Sequence, residues 1–454
     1  MQCYSNNSAN FVKYFLEIFM EKATKIKGLL NTMFNEPLDE ESLKFYINTL
    51  TIRSSDVISQ IERLRYDCMS PDNNNSHLLL GHTGCGKSTE LNKLIQDLKS
   101  VNYPVYKIKC LEELDIYNID KSDILLLISN VLIEMAKENN IDIPDALSEH
   151  IYDFFKETDI ITEKINEKEI NAGIGIEANT GSFLPKLLNF FIKLKGEIKY
   201  GTSKRKTIRE KLQNNVGDWL QNIYELKNII YREKQKLPIL IFEDIDKISD
   251  PKDALYVFNN TILSNLQFPV IFTFPISVAF SSEFTPIRNQ YKIHFLPMIK
   301  THDKNNNDYI DGINIIRDII YARADRNLFE DEAITLLIKK TGGILRDVFK
   351  SINNAAFRAY TRNSNIIQIE DIERALLELQ TDYRRTVAVG DYEKLLKIHQ
   401  TKQDIYDDDD GNKMLEYLHS QVVLEYNGEL WFDVHPLILD FVDERIKARS
   451  ANGQ

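Results

Sequence analysis

Short apolar runs alternate with amphipathic stretches through the middle of the chain. The runs of strand length are HLLLG (77–81), VYKIKC (105–110), LPILIF (237–242), PVIFTF (269–274) and YKIHFLPMI (291–299). The segments between them have apolar residues at three- and four-residue spacing, which indicates helices. Buried strands that alternate with helices predict an α/β fold whose parallel sheet is sandwiched by helices.

The amphipathic stretches predict where those helices lie. Two occur before residue 70, ESLKFYINTL (41–50) and DVISQIERLRYDCM (56–69), and STELNKLIQDL follows the first apolar run. DILLLISNVLIEMAKENN (123–140) is apolar nearly all round, which is typical of a buried helix. The segment 206–236 predicts a long amphipathic helix that Gly217 could interrupt.

After residue 310 the strand-like runs give way to helical patterns. GINIIRDIIYARA, EDEAITLLIKKT, ILRDVFKSINNAAFRAY and IEDIERALLELQTDY predict four successive helices, an all-α lid. The tail from about 388 contains two helical stretches and then LEYNGELWFDVHP, in which Asn427-Gly428 suits a hairpin turn. Helices followed by such a hairpin predict a winged helix.

The chain of 454 residues is too long for one compact core, so several domains are expected. The patterns divide it into an N-terminal helical segment (1–50), a core (51–300), a helical lid (301–387) and a winged-helix-like domain (388–454). Residues 160–205 form an insertion in the core. We favour a surface hairpin with a short helix packed on the core there, over a contact arm for a partner or a membrane surface.

Composition narrows the class of protein. The formal net charge is −12, which argues against a general nucleic-acid coat, although a local basic patch is compatible with it. Four cysteines without metal-ligand spacing fit a reducing cytosol. FVKYFLEIFM (11–20) is interrupted by Lys13 and Glu17, so it predicts an amphipathic helix rather than a membrane span or signal peptide. We expect a cytoplasmic protein.

Residues 81–88, GHTGCGKS, match the pattern G-x-x-x-x-G-K-[ST]. Glycines let backbone N–H groups converge on phosphate oxygens, and the helix that starts there favours an anion. The lysine adds a positive charge at the β- and γ-phosphates, and the serine offers a hydroxyl to Mg²⁺. The predicted contacts of ATP are Gly81, His82, Thr83, Gly84, Cys85, Gly86, Lys87, Ser88 and Thr89.

An acidic cluster follows the apolar run at 239–242. ILIFEDIDKI places Glu243, Asp244 and Asp246 at the end of a predicted strand. In P-loop ATPases one acid at this point orients the hydration shell of Mg²⁺ and another polarises the attacking water. We assign Glu243 to the metal and Asp244 to the water, with Asp246 as the alternative base or as a cap of the next turn.

With these motifs the chain resembles the AAA+ and STAND classes of P-loop ATPase over most of residues 50–385. A third motif, TGGILRD (341–347), is similar to the glycine-glycine-x-x-arginine signature that opens a lid helix in these proteins. The resemblance implies that Arg346 is the sensor 2 arginine, which reaches the γ-phosphate. It also implies a polar sensor 1 at Thr273 and an arginine finger, acting on a neighbouring subunit, at Arg288.

Two departures from the family pattern leave the clade open. The acidic pair is Glu243-Asp244 where Asp-Glu or Asp-Asp is usual, and the sensor 1 strand lacks the arginine of many STAND members. The order of core, lid and winged helix also resembles the origin-recognition class, the KAP-type group, and bacterial stand-alone ATPases with a DDxD-type strand end, some linked to phage defence. His435 has no nucleophile beside it in sequence, so we expect a structural role for it.

Three functions remain open at this point. The resemblance implies an ATP-hydrolysing, Mg²⁺-dependent switch that works as a homo-oligomer and activates a protein effector, with anti-phage defence as a setting. The exchanged acidic pair suggests instead a nucleotide-dependent scaffold with little turnover. The winged helix suggests a DNA-handling ATPase of the origin or transposition type, although the net charge does not indicate nucleic acid as a partner.

Overall fold

The computed structural model describes residues 21–53, 58–70, 75–155, 183–201, 203–248, 250–405, 411–426 and 430–451. Some sequence predictions concern residues outside these ranges. They are the amphipathic helix at 11–20, the glycine-rich half of the predicted insertion, and the Asn427-Gly428 turn. Of the helices that the structure describes, none combines the length and the apolar character needed to cross a bilayer.

Parallel strands form the central sheet, in the spatial order β2-β3-β4-β1-β5. They are β1 (Ser76–Gly81), β2 (Val105–Lys109), β3 (Ile239–Glu243), β4 (Val270–Pro275) and β5 (Lys292–Phe295). Each lies where an apolar run predicted a strand. Because the strands are parallel, the carboxyl ends of β1, β3 and β4 meet at one edge, and this edge carries both the glycine loop and the acidic cluster.

Helices cover both faces of this sheet. In chain order, the described helices that precede the lid are α1 (Ile26–Thr32), α2 (Leu50–Arg53), α3 (Gln60–Met69), α4 (Lys87–Ser100), α5 (Cys110–Glu113), α6 (Lys121–Glu138), α7 (Asp145–Asp153), α8 (Leu184–Lys199), α9 (Ser203–Asn214), α10 (Val216–Lys234), α11 (Pro251–Phe258), α12 (Thr261–Ser264) and α13 (Phe284–Gln290); α1 packs on the lid and not on the sheet. Side chains of a strand alternate between faces. Leu78 and Leu80 therefore pack with α6, α8 and α10, while Leu79 packs with α3 and α4. The α/β class predicted from the sequence is confirmed.

Two segments differ from their predicted local structure. The segment 41–50 was predicted as a helix, but it holds a short 3-10 turn at Ser42–Phe45 before α2 begins. Its polar side chains bond to α4 instead: the Tyr46 hydroxyl donates to Glu90 (2.8 Å) and so does the Thr49 hydroxyl (3.1 Å). Tertiary contacts here outweigh the helical pattern.

The described half of the predicted insertion is a full core helix. We expected a short helix packed on the core. α8 does pack on the main core, through one apolar face that includes Leu187, Phe191 and Leu194, but with 16 residues it is longer than expected. The following helix is interrupted at Asn215 rather than at Gly217, which lies in the first turn of α10. The lysines of α8 therefore belong to the polar face of a packed helix.

The remainder of the described chain is a helical lid followed by a winged helix, as predicted. The lid comprises α14 (Ile310–Arg323), α15 (Asp331–Lys340), α16 (Leu345–Thr361) and α17 (Ile369–Arg384). The winged helix comprises α18 (Tyr392–Thr401), α19 (Gly411–His419), the antiparallel pair β6 (Val423–Tyr426) and β7 (Trp431–Val434), and α20 (Pro436–Ala451). The sequence patterns did not predict α20. The N-terminal α1 packs into the lid core through Leu29 and Met33.

Candidate functional site

The glycine loop connects β1 to α4. Its last residue, Gly86, caps α4 without a side-chain hydrogen bond, so the first N–H groups of the helix are left for a ligand in the loop. Gly84 has a φ of 78°, and a Cβ added there would lie 2.8 Å from the Cβ of Arg346. Glycine at position 84 therefore allows both the left-handed turn and the close approach of the lid.

Lys87 is buried inside this loop. Its Nζ donates to the carbonyl oxygens of Gly81 (2.7 Å) and His82 (3.1 Å), and it lies 2.9 Å from Oδ2 of Asp246. The other carboxylate oxygen of Asp246 accepts a hydrogen bond of 2.9 Å from the hydroxyl of Thr273 on β4. The structure thus joins the predicted lysine, the alternative base and the predicted sensor 1 residue in one line of contacts.

The charges in this line stabilise each other. Burial acts to raise the pKa of Asp246, but the Lys87 ammonium and the Thr273 hydroxyl outweigh it, and the pKa lies below its usual value of 3.8. Burial acts to lower the pKa of Lys87, but Asp246 reverses the effect and the pKa lies above 10.5. Both groups are therefore charged at neutral pH, and each supplies the other's counter-charge.

Glu243 lies at the end of β3 and is buried. Its Oε2 is 3.1 Å from Nζ of Lys107, on the neighbouring β2, and its carboxylate is also hydrogen-bonded to Ser88. Lys107 additionally donates to Oδ1 of Asn92 on α4 (2.6 Å). Burial raises the pKa of Glu243 above 4.5, and Lys107 and Ser88 oppose this shift without cancelling it. The residue is therefore positioned by one cation and by the loop serine.

Asp244 and Asp246 point to different partners. Asp244 has a left-handed backbone, with φ at 74°, and its Oδ1 lies 2.6 Å from Nζ of Lys247. Asp246, in the 3-10 turn Ile245–Lys247, lines the cleft beside the phosphate loop together with Lys247. A left-handed conformation is strained for a residue with a Cβ, and such strain is often found at functional sites.

The cleft beside the loop has a volume of about 280 Å³. One wall is formed by Thr83, Gly84 and residues 86–89, and another by Arg346 and Phe349 in the first turns of the lid helix α16. The N-terminal residues 35–37 close a third side, and Leu38 N–H donates to the Thr89 hydroxyl (3.2 Å). The backbone N of Arg346 approaches the Gly84 carbonyl at 3.4 Å. The lid arginine therefore lies at the loop, where the sequence placed it.

Arg53 holds the phosphate loop through a hydrogen bond to its backbone. The sequence analysis did not identify this arginine. It is buried, its Nη2 donates to the carbonyl of Cys85 (2.7 Å), and its Nη1 donates to the carbonyl of Pro297. Its Nε donates to the hydroxyl of Thr49 (2.7 Å). LTIRSS contains no local motif around this arginine, so only the folded chain reveals the contact.

The winged helix also contacts the phosphate loop. Gln421 Nε2 donates to the carbonyl of Thr83 (2.6 Å), and the backbone N–H of Glu425 donates to Nε2 of His82 (2.8 Å). The Tyr426 hydroxyl donates to the carbonyl of Gly342, just before the lid helix (3.0 Å). Burial, and then the charge of Lys87, lower the pKa of His82 to about 3, so the ring is neutral and can accept this bond.

Two predicted residues lie away from the cleft. Arg288 is exposed on α13, and no residue of that helix lines the cleft among those described. His435 is fully buried at the start of α20, with its Nε2 3.6 Å from Oδ2 of Asp347 and its ring 4.4 Å from that of Tyr383. Asp347 follows the lid arginine, so His435 connects the winged helix to the lid.

The residues present suit a nucleotide with magnesium. The loop offers backbone N–H groups and the Lys87 ammonium to phosphates, and Ser88 and Glu243 already lie in contact with each other. Oε1 of Glu243 is buried without a hydrogen-bond partner among the described residues, which is the kind of oxygen that a hydrated cation would satisfy. Ser88 and Glu243 are therefore the residues that would hold Mg²⁺.

Comparisons with known proteins find similarity only to solved structures, since no protein-family model and no curated protein matches the sequence. Cdc6p from Pyrobaculum aerophilum is 14% identical, over 89% of this chain and 98% of that one, with a TM-score of 0.36. The Aeropyrum pernix ORC1 protein in complex with DNA is 12% identical, over 91% and 97%, with a TM-score of 0.39. The Thermotoga maritima RuvB branch migration motor is 10% identical, over 90% and 98%, with a TM-score of 0.37.

The order of the chain's own elements defines its fold. A parallel sheet in the order β2-β3-β4-β1-β5 presents a phosphate loop after β1 and an acidic cluster after β3. A four-helix lid places an arginine on that loop, and a winged helix follows. With this arrangement the chain has a P-loop NTPase α/β fold, followed by an all-α lid and a winged helix.

Proposed function

We propose that this chain binds ATP with Mg²⁺, hydrolyses it, and acts as a switch that passes its nucleotide state to the lid and the winged helix. The observation that carries the proposal is the environment of Lys87. A buried ammonium is held by two carbonyls of its own loop and by Asp246, with the lid arginine across the glycine loop. A triphosphate in the loop would replace these carbonyls as the partner of Lys87.

Each side chain has a task that follows from its position. Lys87 and the N–H groups at the start of α4 bind the β- and γ-phosphates, and Arg346 contacts the terminal phosphate from the lid. Ser88 and Glu243 would hold Mg²⁺, which would neutralise negative charge on the phosphates. Thr273 positions Asp246 through its hydrogen bond.

We propose that Asp246, rather than Asp244, orients the attacking water. Asp246 is charged and lines the cleft, whereas Asp244 is not among the described residues that line it. A carboxylate with a lowered pKa is a weak proton acceptor, so the task that suits Asp246 is orientation of the water by a hydrogen bond. This inverts the preference drawn from the sequence, which favoured Asp244.

The winged helix contacts the phosphate loop directly, so a change in the loop on nucleotide binding would reach it. Gln421 and the backbone of Glu425 bond to Thr83 and His82, two residues whose backbone must adjust when phosphates enter. Movement of the loop therefore changes the bonds that hold β6 against it. We infer that nucleotide binding and docking of the winged helix are coupled, and that each changes the free energy of the other.

The direct test is ATP turnover by the full chain and by Lys87→Ala. We expect turnover to fall to background, because the substitution removes the charge that binds the γ-phosphate. Lys93→Ala is the matched control: Lys93 lies on the same helix, does not line the cleft, and makes a partly exposed pair with Asp97, so its loss should leave turnover unchanged. Equal rates for the wild type and Lys87→Ala would contradict the proposal.

A nucleotide-dependent scaffold with slow turnover is the second candidate function. The Lys107–Glu243 pair favours it, since the ammonium competes with a metal for the same carboxylate. The double variant Glu243→Asp, Asp244→Glu restores the usual order of acids, and a steep rise in turnover would support the scaffold. Fast turnover by the native chain would exclude it.

We also propose that the output involves self-assembly. Arg288 is exposed on α13, so it could reach a phosphate only from a second copy of the chain. Mass measurement with and without ATP tests assembly, and Arg288→Ala should reduce turnover without reducing nucleotide affinity.

Activation of a protein effector in anti-phage defence is a proposal that rests on the sequence resemblance. The test is to challenge cells that carry the wild-type protein or Lys87→Ala with phage. We expect the variant to lose the protection that the wild type gives.

A further inference from the structure

Three side chains with metal-ligand chemistry meet at the other end of β1, away from the phosphate loop. His77 lies at the start of β1, His294 on the neighbouring β5, and Asp67 near the end of α3. Both imidazoles are buried, while the Asp67 side chain remains 21% exposed. The residues come from three elements that are distant in sequence, so the folded sheet and not a local motif brings them together.

Their spacing is close to that of a tetrahedral metal site. His77 Nδ1 and His294 Nε2 are 3.1 Å apart, and His294 Nε2 and Asp67 Oδ2 are 3.8 Å apart. Zinc bonds of about 2.0–2.1 Å in tetrahedral geometry separate the ligand atoms by roughly 3.4 Å, a value between these two distances. All three ligand atoms lie within 4.8 Å of one another, so a small rotation of the exposed Asp67 side chain would complete the triangle.

We propose that Asp67, His77 and His294 form a binding site for a zinc ion, with water as the fourth ligand on the exposed side of Asp67. Two imidazoles and one carboxylate are ligands that zinc accepts. A bound ion would fasten β1, the strand that carries the phosphate loop, to α3 and β5. The proposal does not depend on the proposed ATPase activity.

The contact between the two imidazole rings allows a second interpretation. Without a metal, a hydrogen bond between the two rings is the alternative use of this pair. Both arrangements bury the same imidazoles, and only a metal titration separates them.

Lys292 opposes a cation in this cluster. Its Nζ lies 3.7 Å from Oδ1 of Asp67, and its side chain is 23% exposed, so it can turn toward solvent when an ion enters. Its charge must nevertheless weaken the affinity for a divalent ion. Lys292→Met should therefore bind metal more tightly than the wild type, which is opposite to the effect of removing a ligand.

The test is a titration of the metal-stripped full chain with Co²⁺, without nucleotide, followed by visible absorption and then by zinc competition. We expect one ion per chain with the strong absorption of four-coordinate cobalt, whereas cobalt at the oxygen ligands of the nucleotide site would be six-coordinate and absorb weakly. Asp67→Asn should weaken binding on the order of tenfold or more. Lys292→Met should tighten it several-fold.

His294→Gln is the third variant, and since its residue is buried, its fold is checked by circular dichroism. Asp67→Asn and Lys292→Met concern partly exposed side chains and keep the test valid if His294→Gln does not fold. Absence of four-coordinate cobalt, or equal affinities for the wild type and Asp67→Asn, would overturn the proposal and leave a hydrogen-bonded histidine pair. Loss of ATP turnover in Lys87→Ala with metal binding intact would separate this site from the proposed function.

Discussion

Glu425, in the winged helix beside the phosphate loop, predicts how the free energy of unfolding changes with pH. It lies on β6, and its backbone N–H bonds to His82 of the loop. Burial raises the pKa of its carboxyl from 4.5 to about 7. Glu425→Gln keeps the shape of the protonated side chain and removes the ionisation, so it isolates the cost of charging this partly buried carboxyl.

The sign and size of the effect follow from linkage. The folded chain holds this proton more tightly than the unfolded chain, so the free energy of unfolding falls as pH rises from 4.5 to 7, and is constant above. One pKa unit corresponds to about 1.4 kcal/mol, so the shift from 4.5 to about 7 gives a ceiling of about 3.5 kcal/mol at pH 8. Glu425→Gln should therefore be more stable than the wild type at pH 8 by up to this amount, and by less than about 1 kcal/mol at pH 5.

Urea unfolding at pH 5 and pH 8, followed by tryptophan fluorescence, measures both differences. Trp431 is a suitable reporter because it lies on β7 and stacks on Tyr426, the residue next to Glu425. Glu416→Gln, at an exposed position of α19, is the matched control and should show no comparable pH dependence. A Glu425→Gln variant with the same advantage at both pH values would refute the argument from burial.

Two further predictions concern the lid and the acidic cluster. Gly343→Ala should destabilise the fold by more than about 2 kcal/mol, because φ is 88° there and the new Cβ would lie 2.0 Å from the carbonyl oxygen of Ile299. Urea unfolding measures the loss. Gly390→Ala is the control and should have little effect, because the space around its Cβ is open. Asp246→Asn should reduce ATP turnover on the order of a hundredfold, and Asp244→Asn should reduce it by less, in steady-state assays at saturating Mg²⁺. A larger loss of turnover in Asp244→Asn than in Asp246→Asn would identify Asp244 as the residue that orients the water.

The sequence by itself determined the strands and the position of the phosphate loop. Apolar runs bounded by polar residues predict β1 to β5. The motif GHTGCGKS predicts a phosphate-binding loop between a strand and a helix. These are local signals, because a strand of a buried sheet needs continuous apolar residues and a phosphate loop needs glycines. The role of Arg346 was implied by the resemblance of TGGILRD to a lid motif of P-loop ATPases.

Only the tertiary structure decided which residues complete the site. Arg53 and Lys107 contact the loop and Glu243 from elements with no motif, and the choice between Asp244 and Asp246 depends on the direction of two side chains in one turn. The segment 41–50 follows its contacts with α4 rather than its helical periodicity. Local patterns specify a residue's backbone, whereas its partners are set by elements far away in sequence, whose positions become fixed when the whole sheet, lid and winged helix pack together.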